Sequence, residues 1–429
     1  MPRRSLLLAA AAALAISGCS LKNDSSGGNP SIEKGVKSSN TQAASQLGFP
    51  VAATRDTTRV SGSDPVSDAA GVAAALFPSN SPETRPGAVA LVDKGEWQAA
   101  IAGAVLAGDP LHAPLLLSDG GSVPGATSGT LGRLKPRGEA LSKGAQVILV
   151  GDKPPAPSGF KSGRVHGKDP YAIAAAVDSF QTAVTGRPTA DVIVASAEQP
   201  AYAMPAAPWA ARSGDPVLFV SRNAVPAPTR KAIVQHSRPN IYLLGPPTVI
   251  STAVEAQLRQ LGSVTRIQSK TPGPVANAVE FARFPQLWNR RQPGAINSTV
   301  ASTTRPADAA AAAALGSNGV FAPLLLMERP NTIPPPLIDF FLVLQPGYEN
   351  NDPTDGLYNH VWILGSRDAV SEGAQARIDQ MAKLVPVDKA PATQPAPSPA
   401  PTKPKAKAKK AAPKPRKKAA APKKKTTAK

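Results

Sequence analysis

Val147-Ile148-Leu149-Val150-Gly151 is a run of four apolar residues ended by a glycine. The run returns as Ile241-Tyr242-Leu243-Leu244-Gly245 and as Val361-Trp362-Ile363-Leu364-Gly365. Short continuous apolar runs that alternate with helical patterning read as parallel strands covered on both faces. Their spacing, about 100 residues, marks a repeated domain and not a short solenoid unit.

Working outward from these runs, each copy carries the same earlier marks. A strand start reads Thr58-Arg59-Val60-Ser61-Gly62-Ser63-Asp64-Pro65, then Gly163-Arg164-Val165-His166-Gly167-Lys168-Asp169-Pro170. A worn third copy is Thr265-Arg266-Ile267-Gln268-Ser269-Lys270-Thr271-Pro272, with Ser269 and Thr271 where the glycine and aspartate stood. An alanine-rich helical stretch follows each. Next come the strands Val89–Val92, Val192–Ala195 and Ser298–Ala301, each before a small-residue helix: Ala99–Ala107, Ala203–Ala211 and Ala307–Ala314. A second buried-looking strand is Pro114-Leu115-Leu116-Leu117, then Pro216-Val217-Leu218-Phe219, then Pro323-Leu324-Leu325-Leu326. Val123-Pro124, Val225-Pro226 and Ile333-Pro334 each open one more helix, since proline is tolerated in a first turn. The expected fold is α/β, three tandem units that are each a small α/β sandwich. The third unit also has an inserted, loop-like stretch from Gln345 to Asp355.

The chain has 429 residues, and 42% apolar composition suffices for sizeable cores. Its net charge of +19 is unevenly placed. Residues 389–429 hold thirteen Lys, one Arg and no acid, and Arg3 and Arg4 add two more charges, so residues 5–388 carry only +3. The tail, and not the folded body, makes the sequence-level case for polyanions. Its Pro/Ala/Lys composition builds no core and is expected to be extended, with Lys409, Lys410, Lys417, Lys418, Lys423, Lys424 and Lys425 as polyanion contacts. A solubilising spacer is the plainer reading of the same stretch.

Met1-Pro2-Arg3-Arg4 followed by the apolar stretch Ser5–Ser17 has the form of a signal peptide, too short to span a membrane comfortably. It ends in Ile16-Ser17-Gly18-Cys19, which resembles the bacterial lipobox, and Cys19 is the only cysteine of the chain. A lipid on Cys19 is expected, with residues 20–56 as a flexible Ser/Asn/Gly-rich tether. One cysteine excludes a disulfide scaffold and a Cys-based zinc site.

No catalytic set is visible. Gly120-Gly121 lacks the dinucleotide-binding spacing, Gly151-Asp152-Lys153 is not a phosphate loop, and no Gly-x-Ser-x-Gly elbow occurs. His112, His166, His236 and His360 fall at non-equivalent repeat positions and read as surface or packing residues. Neither cofactor nor metal is expected.

Taken together, the Arg-Val-x-Gly-x-Asp start, the Pro-Leu-Leu-Leu strand and the strand-Gly ending resemble the type 2 cell-wall-binding repeat family of bacterial surface proteins, over about residues 57–386. The resemblance implies three Rossmann-like units about a pseudo-threefold axis and non-covalent binding to anionic cell-wall polymers. It divides the chain into a signal peptide (1–19), a tether (20–56), units 57–160, 161–262 and 263–386, and a tail (387–429). It also implies that the Pro-Leu-Leu-Leu strand matters to wall attachment, either by contact or simply as core. Arg59, Arg164 and Arg266 occupy one place in each unit. Related by an axis, they would engage phosphate or carboxylate oxygens of a polymer; alternatively each pairs with an acid of its own unit, such as Asp64 or Asp169.

The expected protein is therefore exported and lipid-anchored at the outer face of a bacterial membrane. It grips anionic wall polysaccharide or a teichoic-type polymer and meets no cytoplasmic nucleic acid. The oligomeric state stays open. So do two other readings, a diverged α/β enzyme acting on wall glycan and a ligand-binding lipoprotein.

Overall fold

A computed structural model describes residues 52–60, 62–285, 297–317, 319–348, 352–355 and 358–387; Cys19 and the tail lysines lie outside the described residues. The strands in chain order are β1 (Ala52–Ala53), β2 (Thr57–Val60), β3 (Val89–Asp93), β4 (Leu115–Ser118), β5 (Val147–Val150), β6 (Ser162–Val165), β7 (Asp191–Ser196) and β8 (Val217–Val220). They continue as β9 (Asn240–Leu244), β10 (Ser263–Ile267), β11 (Ser298–Ser302), β12 (Leu324–Met327), β13 (Gly347–Tyr348), β14 (Val361–Leu364) and β15 (Val385–Pro386).

The repeated opening motif folds as strand, turn and helix start. Asp64 and Asp169 are N-caps: Asp64 accepts from the Ser67 amide at 2.8 Å, and Asp169 from Tyr171 at 2.9 Å and Ala172 at 2.8 Å. Pro65 and Pro170 take the first helical position, where a missing N–H costs nothing. The motif glycines permit close approach: a Cβ on Gly62 or Gly167 would sit 2.6 Å from the backbone nitrogen of Asp68 or Ile173. In the worn third copy Gly273 precedes Pro274 and no side chain caps the helix.

Each main sheet is parallel with one strand order. The first runs β4-β3-β5-β6, the second β8-β7-β9-β10, and the third β12-β11-β14-β2, with β1 added antiparallel on the outer edge of β2. The opening strand of each sequence repeat thus lies in the sheet of the repeat before it. β6 completes the first sheet and β10 the second, so pairing crosses the expected boundaries at 160/161 and 262/263. The third sheet is completed by the first long strand of the chain: β2 pairs with β14 from Thr57↔Val361 to Val60↔Leu364. The three sheets therefore form a closed ring of strand exchange.

The helix after each opening strand packs on the following unit: Pro65–Leu76 meets β4, Pro170–Thr185 meets β8, and Pro274–Arg283 meets β12. At the centre, three small-residue helical segments pack on one another: Trp97–Gly103 with its continuation to Ala107, Ala206–Ser213, and Ala309–Gly316. Ala309–Gly316 is buried on every side, as expected for a helix without a polar face. The approach is so close that a Cβ on Gly108 would overlap the Ala211 carbonyl oxygen, and one on Gly316 the Pro208 carbonyl. The Ser317 hydroxyl donates to the Ala107 carbonyl at 2.9 Å.

Side-chain contacts join the units at their rims. Gln98 Nε2 donates to the Ala197 carbonyl at 3.0 Å, and Trp97 stands edge-on to Phe219. The Arg212 guanidinium lies 5.1 Å from the centre of the Phe321 ring. Between the third and first units, Arg305 is shared by Asp68, through an ion pair, and Asp308, at 2.9 Å; both acids are fully buried.

Overpacking a filled core costs about 1–3 kcal/mol, more where backbone must move. Gly108→Val and Gly316→Val are expected to lower Tm by several degrees each in thermal unfolding. The control Gly129→Val, where an added Cβ meets nothing within 4 Å, is expected to leave Tm nearly unchanged.

Candidate functional site

Arg59, Arg164 and Arg266 sit on β2, β6 and β10, three strands at one place in three different sheets. Each guanidinium turns back onto its own sheet and takes the carbonyl of the strand-ending glycine. Arg59 Nη1 donates to Gly365 at 3.0 Å, Arg164 Nη1 to Gly151 at 2.7 Å, and Arg266 Nη1 to Gly245 at 2.7 Å. The second partner differs by unit. Gln375 Oε1 accepts from Arg59 Nε at 2.9 Å, and Glu255 Oε2 from Arg266 Nε at 2.8 Å, both from the helix that follows the glycine. The first unit has the proline-rich stretch 151–161 there, and the Pro154 carbonyl accepts from Arg164 Nη2 at 2.7 Å.

These arginines fasten the end of one strand to its neighbour, as charged donors to carbonyls that would otherwise lack partners. Pairing with an acid is seen for Arg266 alone, with Glu255; Arg59 and Arg164 take carbonyls and Gln375, while Asp64 and Asp169 are occupied as helix caps. Arg59 is only 2% exposed, and burial draws its guanidinium down to about 10, partly opposed by Glu372.

The Leu-rich strands are core. Leu115, Leu116, Leu117, Val217, Leu218, Phe219, Leu324, Leu325 and Leu326 are all buried. The carbonyls of the prolines ahead of them are ladder acceptors: Pro114 for Ala90 at 3.0 Å, Pro216 for Ile193 at 3.0 Å and Pro323 for Thr299 at 2.9 Å.

One groove combines volume with unneutralised positive charge. It holds about 480 Å3 between β6 and the helix Pro170–Thr185. Ile148, Val165, Phe180 and Val184 line it together with Lys143 and Lys161; the Arg164 guanidinium is taken up by the Gly151 and Pro154 carbonyls. Lys161 Nζ donates to the Lys143 carbonyl at 2.8 Å, so the ammonium is held without losing its charge to an acid. Lys143 sits in a left-handed turn at φ 55 that brings it beside the edge strand. The groove runs along an edge with no strand paired on its outer side among the described residues; the matching edge of β2 is covered by β1. At the opposite, C-terminal end of the first sheet, charges pair with each other: Lys94 with Asp119, Lys153 with Glu96 and His166 with Asp152. That end therefore offers an anion little net attraction.

Buried titratable groups gather at the other end of the second unit. His236 Nδ1 faces the Thr189 carbonyl at 2.8 Å, and Nε2 faces Asp178 at 3.0 Å. A backbone carbonyl and a carboxylate on the two ring nitrogens favour the doubly protonated imidazole. Burial opposes that charge, but Asp178, the Thr189 carbonyl and Asp215 outweigh it and raise the His236 pKa. Burial raises the Asp215 carboxyl to about 6 despite hydrogen bonds from Ser213 and Trp209. Asp56 and Asp308 are likewise raised to about 6, chiefly by burial. Among the described residues no group of three or more His, Cys, Asp or Glu could hold a metal ion, and no helix is long and apolar enough to cross a membrane.

Known proteins resemble this arrangement. Residues 164–255 match the family described as Cell wall binding domain 2 (CWB2). The matched segment begins at the arginine of β6. Among solved structures, Cwp6 from Clostridium difficile matches with a TM-score of 0.61 at 14% identity, covering 77% of this chain and 49% of that one. Cwp8 from Clostridium difficile matches with a TM-score of 0.58 at 19% identity, covering 76% and 52%. The chain spans about half the length of these structures, and the likeness is one of fold. No curated protein sequence matches.

Two outcomes test the site. Lys143→Glu with Lys161→Glu is expected to weaken binding to anionic wall polymer by about tenfold at low salt and to leave Tm within a degree or two. Arg59→Met is expected to lower Tm by several degrees, because it strands the Gly365, Ser366 and Gln375 oxygens. Co-sedimentation and thermal unfolding on the same samples separate the two effects.

The raised groups also set a pH dependence. Asp56, Asp215 and Asp308 hold protons more tightly folded than unfolded, so each lowers stability as pH rises from about 4 through 6. The stability from His236 is complete below about 6.5 and is lost as pH rises through its raised folded value. Tm is therefore expected to fall as pH rises from about 4 through 6, and to fall further above about 6.5 as His236 loses its proton. Asp215→Asn should flatten that fall; a Tm that climbs to pH 8 contradicts this account.

Proposed function

We propose that this protein binds anionic cell-wall polymer non-covalently, and that a lipid on Cys19 holds it to the membrane so that it bridges membrane and wall. Wall-associated binding rests on one observation, the match of residues 164–255 to a cell-wall-binding domain. The fold supports the same reading, since all three sheets use one strand order and one arginine clasp. The polymer lies along the Lys143–Lys161 groove, where fixed positive charge meets an open strand edge. The basic stretch 389–429 adds many weak contacts to the same polymer, and linked weak contacts give avidity. The protein is a binder and not an enzyme in this reading, at the outer face of the cell.

Co-sedimentation with purified cell walls tests it, using the mature chain with Cys19→Ser and a second chain ending at residue 387. Both should pellet with intact walls and stay in solution with walls stripped of anionic polymer. Loss of the tail should weaken binding mainly at low salt. Equal binding to stripped walls, or binding only by the tailed chain, overturns the proposal for the folded body.

A further inference from the structure

The third unit differs from the other two on one outward face. The helix that follows the Leu-rich strand carries Ser128, Gly132 and Arg133 in the first unit and Arg230, Lys231, Val234 (59% exposed) and Gln235 in the second. In the third it is Pro335–Val343, whose only charged residue is Asp339. Leu337, Phe340 and Phe341 face the core, while Leu342 and Val343 point out, at 52% and 73% exposure. Two more exposed apolar side chains, Tyr358 and Val387, belong to the same end of the unit. The pieces are held together there: Asn359 Nδ2 donates to the Leu344 carbonyl at 2.6 Å, and the Val387 amide to the Tyr348 carbonyl at 2.9 Å.

Both ends of the described body also enter this unit. Ala52 pairs on the edge of the third sheet, 33 residues after Cys19, and the chain leaves at Val387 just before the lysine-rich stretch. Arg283 and Lys383 add positive charge at this end; Asp339 and Asp352 are exposed acids there. Adjacent exposed Leu342 and Val343 on a helix without a cation, in the unit that both ends of the described body enter and ahead of a +14 stretch, have a matching occupant: a bilayer with anionic headgroups.

We infer that the third unit is the membrane-facing unit, and that Leu342, Val343, Tyr358 and Val387 rest in the headgroup zone of an anionic bilayer. The inference leans on the proposed lipid at Cys19 for proximity, but its test does not use the lipid. The tail supplies salt-sensitive attraction to the surface. The apolar side chains supply a grip that salt does not screen. The exposed acids keep the contact peripheral.

The test is flotation of the mature Cys19→Ser chain with phosphatidylcholine vesicles containing about 30% phosphatidylglycerol, at low and high salt. The chain should float with these vesicles, and part of it should remain bound at high salt. Leu342→Ser with Val343→Ser should lower high-salt binding by about tenfold. Tm and wall co-sedimentation should be unchanged, because both residues are exposed. The inference is overturned if the double variant floats like the parent, or if high salt releases the parent completely, since the tail then acts alone. It is equally overturned if light scattering shows a parent dimer that the double variant loses while vesicle binding stays the same, since a second copy then covers the patch. Failure to bind walls would remove the proposed function and leave the vesicle result standing.

Discussion

The pairing of β2 with β14 is the constraint on which the rest depends. Four residues near the start of the body, Thr57–Val60, complete a sheet whose other parallel strands come from its last 90 or so residues. With β2 in place, Arg59 reaches the Gly365 and Ser366 carbonyls and Gln375. The adjoining turn brings Asp68 to Arg305, beside Asp308. Two acids and one guanidinium out of water are costly to separate, since loss of one partner leaves a buried charge. Closure is thus specified by geometry and charge together. The other two sheets repeat the geometry without that charge network: Ile173 and Asn277 stand where Asp68 does.

The central helices follow from the same requirement. A ring closes on three helices only if their axes come near, and near axes need small side chains. Hence the alanine content of 309–316, and the glycines at 108 and 316, which lie against carbonyls of the middle unit. Alanine contributes little apolar area, about a methyl group per residue, so cohesion must come mostly from the Leu-rich strands beneath. The hub sets spacing and the sheets carry the stabilisation.

Much of this architecture was legible in the chain. The apolar runs read as the parallel strands, and the alanine-rich stretches after the opening motifs read as the helices that Asp64 and Asp169 cap. The sheet that each opening strand joins was not legible. A sequence repeat has a period but no phase, and Arg164-Val165 reads equally well as the start of one sheet or the end of another. The arginines were singled out correctly as equivalent, yet their partners were missed because backbone carbonyls leave no mark in a sequence. Lys143 and Lys161 were missed for a different reason. They lie outside the repeated motif, and a left-handed turn at Lys143 together with Lys161's place just before β6 brings them together.

The ring also decides how the body bears load. A pull on the N-terminal leader first meets the two-residue β1, held beside Thr54 and Asp56, which both bond to Asp379. Beyond that turn the tension passes into β2, which lies parallel to β14. Drawn along its own axis, a strand in that position strains all its rungs together instead of opening them one by one. The four-residue pairing of β2 with β14 is thus also the molecule's shear clamp, and the strand that completes the fold is the first main-sheet strand through which a mechanical force would pass.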